Sequence, residues 1–126
     1  MILVIDGSRD MGGSLERVLR YRGFEAVAVQ DGLEALALLD VRRPKLVIME
    51  LQVSGIEGIA LLKAIRQDAK FADVPVFVYT ETFADESRRA ALANGAQEFI
   101  VKGTIGWESL VERIRKYHPR VSEPLL

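Results

Sequence analysis

The stretch Leu46-Val47-Ile48-Met49-Glu50-Leu51-Gln52-Val53-Ser54-Gly55-Ile56-Glu57-Gly58 decides the fold. It opens on a short apolar run with no polar alternation. That is the pattern of a strand covered on both faces. An acid, Glu50, ends the run, and a glycine-containing loop follows it.

Working outward, the same pattern recurs at Ile2-Leu3-Val4-Ile5, Val76-Phe77-Val78-Tyr79 and Phe99-Ile100-Val101. Residues 24–29 are more mixed, with Glu25 among Phe24, Ala26, Val27 and Val29, and read as an edge strand. Segments of helical period separate the runs. Met11, Leu15, Val18 and Arg22 share one face of the first, with Leu19 beside them. Gly23 stands where a left-handed C-cap belongs. Asp31 and Glu34 have the spacing of a capping box for the second helix, and Pro44 marks that helix as finished. Ile59, Leu62 and Ile65 mark the third helix. A fourth covers about residues 84–94 and stops at Gly95. Leu110, Val111, Ile114 and Tyr117 mark the fifth, closed by Pro119.

Five strand–helix units in series call for an α/β fold: a parallel sheet with helices on both faces. Right-handed crossovers favour the flavodoxin-like doubly wound order 2-1-3-4-5. Ligands of such sheets bind at the carboxyl ends of the strands. A chain of 126 residues fits one domain, expected over residues 1–118, with residues 119–126 as a C-terminal tail.

Composition excludes several functions. There is no cysteine, which removes disulfides, thiolate chemistry and Cys-based zinc sites, and the single histidine, His118, builds no metal site alone. A formal net charge of -1 argues against direct nucleic-acid binding and against a polybasic membrane surface. The opening apolar run is too short for a signal peptide or a span, so the expected location is cytoplasmic.

The strand ends bring chemistry together. Asp6 follows the first strand, Glu50 the third, Thr80 the fourth and Lys102 the fifth. Carboxylates suit a hard cation or a nucleophilic role toward phosphorus. An ammonium and a hydroxyl suit phosphoryl oxygens. The alternative without chemistry is an internal salt bridge from Lys102 to Glu50 or Asp6.

With those residues placed, the chain resembles the receiver domains of response regulators, atypically. The resemblance runs from Ile2 to about His118. It is carried by Ile2-Leu3-Val4-Ile5-Asp6, by the stretch from Leu46 to Gly58, and by Asn94-Gly95-Ala96-Gln97-Glu98-Phe99-Ile100-Val101-Lys102. It implies a CheY-like module of two-component or phosphorelay signalling rather than an enzyme. Thr80 matches the family's switch hydroxyl, Phe99 its switch aromatic, and Lys102 its motif lysine.

The departures are as informative. Glu50 stands at the phosphoacceptor aspartate. Gly7 stands where the family has a second acid that ligates Mg²⁺. Gln52 takes a position whose backbone carbonyl ligates the metal. Ser54 replaces the loop proline, and Gly103 the proline after Lys102. In-line phosphoryl transfer is mostly positioning, and an error near 1 Å costs about 100-fold. No catalytic residue and no cofactor is therefore expected. Weak Mg²⁺ contact at Asp6, Glu50 and Gln52 is the most this set would support. The resemblance also implies a partner surface on the fourth helix, fifth strand and fifth helix. Arg88, Arg89, Arg113 and Tyr117 are its candidate residues, for a protein partner or a second copy, with a sensor kinase as a further partner. Two alternatives stand beside this reading: a working phosphoacceptor in a phosphorelay, and a flavodoxin-like domain that binds a small anion or nucleotide.

Among the remaining residues, Trp107 reads as an aromatic packed at the start of the fifth helix. His118 reads as a favourable charge at its end. Arg42 and Arg43 read as solvated. Gly12-Gly13 is unusual, since glycine within a helix costs about 0.8–1 kcal/mol relative to alanine. It suggests either a frayed first turn or close approach of a partner.

Overall fold

A computed structural model describes residues 1–118 of the chain. The elements are β1 (Ile2–Ile5), α1 (Arg9–Tyr21), β2 (Ala26–Val29), α2 (Gly32–Leu39), β3 (Leu46–Met49), α3 (Gly58–Gln67), a 3-10 turn (Ala69–Phe71), β4 (Val76–Thr80), α4 (Asp85–Ala93), β5 (Glu98–Val101) and α5 (Trp107–Tyr117). The strands form one parallel sheet in the order β2-β1-β3-β4-β5, the expected topology. The expected tail, residues 119–126, and Pro119 with it, lies outside the described residues.

The apolar runs are strands because both their faces are covered. On one face Leu3, Ile5, Val47, Met49, Val76 and Val78 pack with Leu61, Leu62 and Ile65 of α3. On the other, Ile2, Val4, Ile48, Phe77 and Tyr79 pack with Leu15 and Leu19 of α1 and Leu110, Val111 and Ile114 of α5. Each large aliphatic side chain so buried contributes about 1.5–3 kcal/mol. Local signals set the boundaries. Ser8 caps α1 by accepting from Met11 N–H at 3.2 Å, and Asp31 caps α2 by accepting from Leu33 N–H at 2.6 Å. Gly23 and Gly95 take positive φ at the ends of α1 and α4, as the sequence indicates.

Three readings are corrected. β2 begins at Ala26, because Phe24 closes the end of α1 instead: its N–H donates to Leu19 carbonyl and its ring meets His118 at 5.5 Å. His118 is therefore a buried packing residue, and burial pushes its pKa down, which disfavours a charge at the helix end. Gly12 is neither frayed nor waiting for a partner. It is buried within α1, its N–H donates to Ser8 carbonyl at 2.9 Å, and a Cβ there would lie 3.4 Å from Asp6 Cβ, at the edge of ordinary contact.

Candidate functional site

Register builds the site. Ile5 pairs with Met49 across β1 and β3, which sets the next residues, Asp6 and Glu50, side by side. Thr80 pairs with Val101 across β4 and β5, which delivers Lys102 to the same rim. Asp6, Glu50 and Thr80 are buried at 5%, 5% and 0% exposure. A charge at that depth needs partners.

Lys102 supplies them. Its ammonium donates to Asp6 Oδ2 at 2.7 Å and lies 3.1 Å from Glu50 Oε1. Asp6 Oδ1 accepts from Ser8 N–H at 2.9 Å. Glu50 curls back over its own loop. Its Oε2 accepts from Leu51 N–H at 2.7 Å and Gln52 N–H at 3.3 Å, and its Oε1 accepts from Glu81 N–H at 3.2 Å. The Thr80 hydroxyl is close enough to the same carboxylate to favour its charged form. Burial disfavours the Glu50 charge, but Thr80, Lys102 and Gln52 together outweigh it and hold the carboxyl below its usual range. Burial likewise opposes the Lys102 charge, and its bonds to Asp6 and Glu50 outweigh that and raise its pKa.

The arrangement is an oxyanion cradle whose occupant is the chain's own glutamate. The N–H groups of Leu51, Gln52 and Glu81 are functional elements that side-chain reading missed. Backbone donors leave no residue-type signal, and only the loop position after an apolar run hints at them.

A Mg²⁺ ion, which the resemblance implies, needs near-octahedral oxygen ligation. The crevice offers two carboxylates, and each of their oxygens already accepts an N–H bond. Among the described residues there is no group of three acids or histidines for a metal. This donor set does not fit the ion. Gly7 explains part of the deficit, yet the space exists: a Cβ there would meet Gln52 carbonyl oxygen at an ordinary 3.5 Å.

Away from the crevice, a groove of about 560 Å³ runs along β5 between α4 and α5. Arg88, Leu92, Phe99 and Arg113 line it, and Arg113 pairs with Glu98 at 3.1 Å. Phe99 is half-buried there, its ring also packed against the α3 side of the core. Arg89 is exposed on α4 but outside this lining. Tyr117 lies elsewhere. It meets Phe77 edge-on at 5.3 Å and walls a cleft with Arg43, Pro44 and Pro75. No helix among the described residues is long and apolar enough to cross a membrane.

Comparison with known proteins agrees with this geometry. Residues 2–115 match the response regulator receiver domain. The chain is 35% identical over 114 residues to the transcriptional regulatory protein PrrA of Mycobacterium tuberculosis, covering 90% of this chain and 48% of that protein. It is 31% identical over 121 residues to the response regulator MprA of Mycobacterium sp., covering 96% and 51%. It thus spans about half the length of these curated relatives. Among solved structures, a two-component response regulator from Clostridium difficile superposes with a TM-score of 0.86 at 24% identity, covering 97% of this chain and 98% of that one. The chemotaxis response regulator CheY4 of Vibrio cholerae gives 0.84 at 24% identity, covering 93% and 97%. Sheet order, crevice and sequence match lead to one conclusion: the chain belongs to the response regulator receiver domain family, the signalling module of two-component systems.

Proposed function

We propose that this receiver signals without being phosphorylated, through protein contacts on the α4–β5–α5 face. The observation that carries the reading is the occupied cradle. Glu50 already accepts from Leu51, Gln52 and Glu81 N–H groups and pairs with the Lys102 ammonium at 3.1 Å, with Thr80 favouring its charge. These are donors of the kind a phosphoryl group would need. Glu50 brings one negative charge where a phosphoryl group brings about 1.5 to 2. It is a partial and permanent mimic, and it biases the fold only as far as its contacts differ between states. Mg²⁺ binds weakly or not at all in the millimolar range, because Gly7 supplies no ligand. Partners are proteins or a second copy, in the cytoplasm, rather than nucleic acid or membrane. A sensor kinase docks without transferring phosphate.

The test is association measured by sedimentation and calorimetry with no phosphodonor present. Wild type is expected to bind its partner or itself. Arg88→Glu should abolish that binding, and Glu50→Gln, which keeps shape and removes charge, should weaken it. Equal affinity for wild type and Glu50→Gln would show that Glu50 is not the switch. No effect of Arg88→Glu or Arg113→Glu would show that the face is not used.

A further inference from the structure

Neighbouring residues on a strand point to opposite faces of the sheet. Tyr79 and Thr80 are such neighbours at the crevice end of β4. Val76 and Val78 pack on the α3 side, and Thr80 follows their alternation, as does Phe99 across on β5. Phe77 and Tyr79 pack on the α1–α5 side, where Trp107 joins them. The crevice therefore touches both layers of the fold, and the familiar hydroxyl and aromatic serve only one.

On the second layer the contacts form a chain. Lys102 Nζ lies 5.8 Å from the centroid of the Tyr79 ring, a cation–π distance. The Tyr79 ring is 6.5 Å from Trp107, inclined at 52°. Tyr79 is 5% exposed, so the ammonium and ring meet largely away from water. Trp107 is the first residue of α5, and no side chain caps that helix. Its first turn is held instead by Trp107 packing and by Glu108, which pairs with Arg22 at 3.1 Å.

We propose that Tyr79 and Trp107 form a second readout of the crevice, in which the position of the Lys102 ammonium, shared between Asp6 and Glu50, is carried through the Tyr79 ring to the first turn of α5. Tyr79 acts as a positioning residue: it touches the charge and moves the helix start through Trp107. This rests on the reading that the Glu50 charge sets the state of the crevice. It adds that the α1–α5 layer responds too, not only the groove along β5.

Trp107 is the sole tryptophan, so its emission reports this turn alone. Glu50→Gln removes one of the two counter-charges of the ammonium. Its expected effects are a shifted Trp107 emission and faster amide exchange in the first turn of α5, by about 2–5-fold, the size of one cation–π coupling. Tyr79→Phe keeps the ring and should keep both responses. Tyr79→Leu should lose them, with far-UV circular dichroism confirming the fold. Should Tyr79→Leu fail to fold, Tyr79→Met fills similar volume without an aromatic face and carries the same expectation. An emission unmoved by Glu50→Gln, or moved equally in the Tyr79→Leu or Tyr79→Met background, overturns the proposal. A phosphate found on Glu50 would sink the phosphorylation-independent reading separately, since these variants are compared without any phosphodonor.

Discussion

In the crevice, Lys102 meets Glu50 at 3.1 Å; in the groove, Arg113 meets Glu98 at the same 3.1 Å. The first pair has side chains 7% and 6% exposed, the second 40% and 27%. The same distance therefore carries different consequences. Water screens the groove pair, and such pairs contribute about 0–1 kcal/mol. Breaking a buried pair by removing one partner costs about 3–5 kcal/mol, because the other charge is stranded. The crevice charges belong to the fold, whereas the groove charges stay within reach of water.

The largest expected effect comes from the shared cation. Lys102→Ala strands both Asp6 and Glu50, and should lower stability in urea unfolding by about 3–5 kcal/mol. A loss under about 0.5 kcal/mol, the ordinary surface range, would erase the distinction between the two regions.

Glu50→Gln comes next, at about 1–3 kcal/mol, since the amide satisfies the N–H donors less well than a carboxylate. Its pH dependence is the sharper reading. The folded pKa of Glu50 is depressed, so its contribution is present above the unfolded value of about 4.3 and is lost as pH falls through the folded value. The folded pKa of Lys102 is raised, so its contribution is full below about 10.4 and is lost as pH rises through the folded value. Wild type should lose stability at both ends. Glu50→Gln should flatten the acid end below about pH 4.3. His118, with its lowered pKa, makes an earlier acid loss starting near pH 6.5, which Glu50→Gln should leave intact. Superimposable acid limbs for wild type and variant would show that the Glu50 pair contributes nothing.

The smallest effect belongs to the groove. Arg113→Ala should change stability by less than about 1 kcal/mol while still weakening association. A loss as large as that of Lys102→Ala would make the groove pair structural, and the contrast would fail.

Sequence made the architecture legible because periodicity is local. Buried strands declare themselves in runs such as Leu46-Val47-Ile48-Met49, and Gly23 and Gly95 punctuate the helices. The site was legible as a set of residues, since Asp6, Glu50, Thr80 and Lys102 each follow directly on an apolar run. Its internal arrangement was not. Side-chain torsions decide that Glu50 folds onto Leu51 and Gln52 rather than extending outward, and no spacing rule encodes them. Tyr117 shows the same limit: helical spacing places it on an apolar stripe of α5, and only the packing of the helix end against Phe77 takes it away from the groove.

The most direct test of the occupied cradle is intact-mass spectrometry after incubation with acetyl phosphate and Mg²⁺. Wild type and the double variant Gly7→Asp, Glu50→Asp are compared side by side. The variant restores the second acid, for which there is space beside Gln52, and shortens the side chain that fills the cradle. The expected result is no adduct on wild type and one phosphate on the variant. A phosphate mapped to Glu50 of the wild-type chain would contradict the account.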